Sequence, residues 1–203
     1  MKSRQILQLD NGILHAAQLM LVLMLTGRVA AAGTITLDFE GFPDSTILTM
    51  QYPSLTFTNA IILTAGISLN EFEFPPHSGV NVASDNGGPI TIDFASPIMS
   101  FSGYFTYIEP LTLTGFDASD TEVASAVSAY SSNDALFGDP GSSPNEFIRI
   151  NYASGISSVT ITGDPNGGSF VMDDVTTGTA APEPRSSILV LTAVTLLFVR
   201  KAR

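Results

Sequence analysis

The chain has 203 residues, a net charge of −11, and neither cysteine nor tryptophan. Without cysteine it has no disulfide staple, no thiol nucleophile and no thiolate metal site. The charge is unevenly spread. Seventeen of the 19 acidic residues lie between Gly33 and Ala181, where Arg149 is the only basic one, a net charge of −16 over about 150 residues. Such a surface repels a phosphate backbone, which excludes nucleic acid as a partner and disfavours anionic lipid. It leaves divalent cations as plausible ligands, beside the simpler reading that the acids keep an exported protein soluble.

The first 32 residues have the layout of a signal peptide. Lys2 and Arg4 precede an apolar core running roughly from Ile13 to Leu25, followed by Ala30-Ala31-Ala32-Gly33, with cleavage expected after Ala31 or Ala32. An uncleaved N-terminal anchor is the alternative.

From Gly33 to Val175 the chain alternates with period two. Ile35, Leu37 and Phe39 alternate with Thr36, Asp38 and Glu40. Ile90, Ile92 and Phe94 alternate with Thr91, Asp93 and Ala95, and Val159 and Ile161 with Thr160 and Thr162. Each stretch predicts a half-buried strand. Further strands are expected near 55–57, 98–105, 111–117, 147–150 and 170–175, while 122–129 fits either a short helix or a strand. Turns fall at Gly41-Phe42-Pro43-Asp44, Pro75-Pro76, Asp85-Asn86-Gly87-Gly88-Pro89, Asp139-Pro140-Gly141 and Asp164-Pro165-Asn166-Gly167-Gly168. Many short strands with polar turns predict an all-β protein, an antiparallel β-sandwich over 33–175. Residues 176–181 read as a small-residue linker.

Within this domain, Asp38 and Glu40 on the first strand and Asp173 and Asp174 on the last are candidate calcium ligands. Terminal strands often pair, and converging carboxylates need a cation or a proton. Outward-facing strand acids are the plainer reading, and Asp85-Asn86-Gly87 reads as a turn. His77 is the one histidine of the interior. It would have to serve as the base of any Ser-His-Asp site, but no Gly-x-Ser-x-Gly elbow accompanies it. Acids are frequent enough to supply the paired carboxylates of a glycoside hydrolase somewhere. A small secreted hydrolase is therefore the third reading, after a surface protein and a carbohydrate-binding module. With no tryptophan, Tyr104 and Tyr107 near a strand end are the candidate sugar-stacking residues, against the alternative of half-buried packing.

The chain closes with Pro182-Glu183-Pro184, an uncharged run from Ser186 to Val199, and the basic cluster Arg200, Lys201 and Arg203. A helix over that run is about 21 Å long, short of a hydrocarbon core of ~30 Å. It predicts a weak anchor with its basic end in the cytoplasm, either removed later or retained as a plain single span. In order and position, residues 182–203 resemble the PEP-CTERM sorting signal of exported bacterial proteins. That resemblance implies an exosortase-type membrane protease as partner and a transient membrane stage through the C-terminal helix. It also implies a final place at the cell surface or in an exopolysaccharide or biofilm matrix. The strand set, with Leu37-Asp38-Phe39-Glu40, Ile92-Asp93-Phe94 before Pro97, Gly115-Phe116-Asp117-Ala118 and Phe170 to Val175, resembles jelly-roll, carbohydrate-binding-like domains. That resemblance implies a structural calcium near the terminal strands and a non-enzymatic role, with extracellular polysaccharide as a possible ligand.

Overall fold

The structure, a computed structural model, describes residues 33–179. The signal peptide of 1–32, the end of the expected linker and the sorting tail, including Pro182, Glu183, Pro184, Arg200, Lys201 and Arg203, lie outside the described residues. Those described form ten strands: β1 (Thr34–Leu37), β2 (Ile47–Leu48), β3 (Leu55–Thr58), β4 (Ala60–Thr64), β5 (Asn81–Asn86), β6 (Ile90–Tyr107), β7 (Thr112–Phe116), β8 (Glu122–Val127), β9 (Glu146–Thr162) and β10 (Gly167–Gly178). All strand pairs are antiparallel. No helix among the described residues is long and apolar enough to cross a membrane.

Two long strands turn one hydrogen-bonded network into two layers. The C-terminal half of β6 and the N-terminal half of β9 lie in the larger layer, in the order β2-β4-β5-β10-β6-β9, with β1 beside the end of β10. Their other halves lie in the smaller layer, in the order β3-β6-β9-β7-β8. Both strands change layer at the same level, where the register shifts between Asp93 and Ser100. Pro97, which has no N–H for the ladder, sits there. Gly155 on β9 faces it with φ +108°, and a Cβ on Gly155 would come within 2.8 Å of the proline ring. The layers meet face to face: a Cβ on Gly115 of β7 would touch Ile150 and Ile156 of β9. Between them lies one core, which includes Phe57, Ile92, Phe94, Phe101, Phe105, Leu113, Ile150, Val159, Met172 and Val175.

The structure departs from the expected strands in several places. The stretches 90–94 and 98–105 are one strand, as are 147–150 and 159–162. Residues 122–127 are strand, not helix. β10 runs on to Gly178, so Thr176, Thr177 and Gly178 pair with β1 and β6 instead of forming a linker. β2, β4 and β5 were not anticipated. β5 does not alternate because both of its faces are covered. Leu69 packs with Val82 and Val171 on the outer side, joined by Leu63, Ala65 and Phe74. The segment 65–80 thus roofs part of the larger layer and leaves Phe147, Arg149 and Asn151 exposed on the outer face of β9, with Tyr104 of β6 half-buried beside them and Ser102 and Thr106 buried.

Candidate ligand-binding face

The open face is built by strand alternation. On β6, Phe101, Phe105 and Tyr107 point into the core, and Tyr104 points out. On β9, Ile148 and Ile150 point in, and Phe147, Arg149 and Asn151 point out. The register sets Tyr104 opposite Phe147, Ser102 opposite Arg149 and Ser100 opposite Asn151. Phe147 is 52% exposed, and its ring centroid lies 5.3 Å from that of Tyr104 at 57°. The other side of Tyr104 is covered by His77, stacked at 3.4 Å and 9°. Three rings from distant parts of the chain therefore form one surface cluster, with His77 and Phe147 flanking Tyr104.

A bulge in β10 pins His77 in place. Consecutive strand residues normally point to opposite faces. Here the register shifts between Asp173 and Thr176, and Asp174 adopts φ +45°, so both carboxylates reach the same loop. His77 Nδ1 lies 2.6 Å from Asp174 Oδ2, and Ser78 Oγ donates to Asp174 Oδ1 at 3.1 Å. Ser78 N–H donates to Asp173 Oδ2 at 2.8 Å, and Asp174 N–H donates to Asp173 Oδ1 at 2.7 Å. Asp173 is 1% exposed. Burial raises its pKa to about 6; the N–H groups it accepts from oppose that shift, and the nearby Asp174 charge adds to it.

Of the four acids expected to converge, Asp38 and Glu40 lie just beyond β1, which ends at Leu37, and each of the four accepts from protein donors. Glu40 Oε1 accepts the N–H groups of Val80 and Asn81, both at 2.8 Å. It lies so close to Gly79, at φ +53°, that a Cβ there would overlap the carboxylate. Asp38 Oδ1 accepts the N–H of Glu40 at 3.3 Å. Among the described residues no group of three or more His, Asp or Glu side chains is placed to hold a metal ion. The donors here are N–H and O–H groups, which suit carboxylates but leave few oxygens turned toward a shared cation.

Tyr107, expected to contact sugar, is fully buried. Its hydroxyl donates to Glu146 and accepts the N–H of Tyr130, and burial pushes its pKa up to about 12, helped by Glu146. An inward position on β6 removes it from any ligand. Tyr104 is on the open face but shares its ring with His77. Phe147, read from the sequence only as a strand residue, is the more exposed ring. Its outward position follows from alternation with Ile148 and Ile150, so that signal was present.

The pair His77 and Asp174 has the spacing of a catalytic dyad. However, the one hydroxyl bonded to it, Ser78 Oγ, donates to the carboxylate and not to the imidazole, the reverse of what a nucleophile needs. A concavity of about 310 Å³ lies beside β3 among Met50, Tyr52, Leu55 and Phe94, with Asp93 the one carboxylate in its wall. A paired-carboxylate hydrolase would need two.

No family model matches this chain, and no curated protein does. Among solved structures, it is similar to a cleaved adhesin domain of Lys-gingipain from Porphyromonas gingivalis (7% identity, 73% of this chain and 99% of the other, TM-score 0.44). It is also similar to a DUF4465 family protein from Bacteroides caccae (10% identity, 71% and 98%, TM-score 0.43) and to a variant of a family 29 carbohydrate-binding module (9% identity, 74% and 88%, TM-score 0.40). Nothing about the site follows from likenesses this distant.

Proposed function

We propose that this chain is a non-enzymatic, exported β-sandwich protein that binds extracellular polysaccharide on the open face of its larger layer. The reading is carried by one observation: an exposed Phe147 beside the Tyr104–His77 stack, on the same face as Arg149 and Asn151. Aromatic rings give sugar rings a flat apolar surface. Fixed polar groups beside them supply orientation through hydrogen bonds. The binding we propose does not use calcium at Asp38, Glu40, Asp173 and Asp174, because those carboxylates already accept from the chain.

The order of the tail, Pro182-Glu183-Pro184 to Arg203, supports sorting by an exosortase-type membrane protease after a transient membrane stage. The destination is then the cell surface or its exopolysaccharide matrix.

A glycan array probed with the full-length chain and with Phe147→Ala tests the face. Binding by the wild type that the variant weakens is the expected result, and no bound glycan removes the reading. Catalysis is tested separately: turnover of a bound glycan that His77→Ala abolishes would replace binding with hydrolysis. Mass spectrometry of the mature C-terminus in the native host tests the tail, since an intact Arg203 on surface material contradicts processing.

A further inference from the structure

Between Gly33 and Ala181, Arg149 is the one Lys or Arg among seventeen carboxylates. In so acidic a domain an arginine would be expected to sit among acids. Yet the one ion pair among the described residues joins His77 to Asp174. Arg149 instead donates from Nε to Asn151 Oδ1 at 2.7 Å, on the same strand and face. That bond orients the guanidinium and uses one of its five N–H donors. No carboxylate among the described residues lies within salt-bridge reach of the others.

The position is as telling as the lack of a partner. Arg149 is exposed and two residues along β9 from Phe147, about 7 Å away at strand rise. A sugar ring laid on Phe147 can carry an exocyclic carboxylate to the guanidinium, whose fork accepts a carboxylate through two parallel hydrogen bonds. Three carboxylates on β9 and β10, the strands on either side of β6, are engaged. Asp174 is held by His77 and Ser78, Asp173 is buried under Ser78, and Glu146 accepts from Tyr107 and Ala129. Repulsion from the rest of the domain is screened beyond about 8 Å at physiological salt, so the local cation decides what this face attracts.

We propose that the open face takes an acidic polysaccharide of the uronic-acid class, one ring resting on Phe147 and its carboxylate paired with Arg149. This rests on the glycan-binding reading of the face and names its ligand class.

The test is calorimetric titration of the full-length chain with a soluble polyuronate and with the same polymer after its carboxylates are reduced to alcohols. Wild type, Arg149→Gln and Phe147→Ala are compared, with melting midpoints confirming that each variant folds. The wild type is expected to bind the polyuronate at least about tenfold tighter than the reduced polymer, as one charge-assisted pair predicts. Arg149→Gln should erase that preference while keeping the weaker binding to the reduced polymer, and Phe147→Ala should weaken both. If Arg149→Gln leaves polyuronate affinity unchanged, or both polymers bind equally, the acidic specificity is overturned while a Phe147-dependent glycan face survives. If the wild type binds neither polymer but does bind a neutral glycan on the array, the ligand class is wrong and the face stands. If it binds no glycan at all, both fall.

Discussion

The two outer faces of this sandwich start from the same alternating pattern and end as different surfaces. On the smaller layer, one row across five strands reads Thr58, Thr91, Thr160, Thr114 and Ser125. The next row, facing inward, reads Phe57, Ile92, Val159, Gly115 and Ala124. This is a uniform polar coat over an apolar lining, with hydroxyl pairs such as Thr91 and Thr160 at 3.2 Å. On the larger layer, segment 65–80 roofs one part, and the open part collects three aromatic rings and an arginine. A uniform row needs only strand alternation and register. A face with distinct chemistry needs a loop to bring in His77, a bulge to turn Asp174 and a buried carboxylate to hold the strand that carries them.

The sharpest way to break that contrast is to remove a buried anchor from the larger layer. Asp85, 3% exposed, accepts from Ser169 N–H and Oγ and from Phe170 N–H, where β10 enters the layer with an irregular register. Asp85→Ala strands at least two buried N–H donors and is expected to cost about 3 kcal/mol in chemical denaturation. Phe147→Ala should leave stability nearly unchanged and weaken glycan binding about tenfold, or ~1.4 kcal/mol. Thr114→Val on the opposite face should leave binding unaltered, and equal losses from both faces would erase the distinction.

Acid titration separates the layers further. Asp173 has a folded-state pKa of about 6 against an ordinary value of 3.8, because it is buried. The proton is therefore bound more tightly in the folded protein. The stabilisation this supplies is complete below about 3.8 and is lost as pH rises through about 6. The melting midpoint of the wild type minus that of Asp173→Asn should fall between about pH 4 and about pH 7. A constant difference would mean that burial of Asp173 is not what sets its titration. Thr91→Val, which removes one hydroxyl of a cross-strand pair, should cost less than ~1 kcal/mol. The smallest effect is expected from calcium. Melting with saturating calcium and with chelator should give the same midpoint, whereas a rise with calcium would show the four acids exchanging their N–H partners for an ion.

The legibility of the molecule follows the same division. Strands with one face in the core and one in water, such as 90–94 and 159–162, show their period in the sequence and carry the expected inward residues, whereas β1 ends at Leu37 and leaves Ile35 exposed, because it pairs only with the end of β10. β4 and β5 were missed because Ala60–Thr64 is short and apolar, and because β5 is covered on both faces, with Val82 under the roof, Ala83 in the core, and Asn81, Ser84 and Asp85 buried on hydrogen bonds to Phe39, Phe42, Ser169 and Phe170. The pairing of the first and last strands was legible, although β1 ends at Leu37, before Asp38 and Glu40, the acids expected on it. What the four acids bind was not, since the N–H groups of Ser78, Val80 and Asn81 come from a segment with no recognisable motif. Tyr107 was misplaced because two tyrosines three residues apart on a strand cannot share a face, and register alone decides which one turns outward.

The sequence by itself determined an acidic, cysteine-free, antiparallel β protein, because charge balance and period-two hydrophobicity are local properties readable one strand at a time. Only the tertiary structure decided that β6 and β9 each serve both layers, that segment 65–80 roofs β5 and brings His77 onto Tyr104, and that Tyr104, Phe147 and Arg149 share one outer face. Those residues are brought together by strand pairing between positions about 40 to 100 apart, set by register, a bulge and a proline opposite a glycine, and not by the pattern of any one stretch.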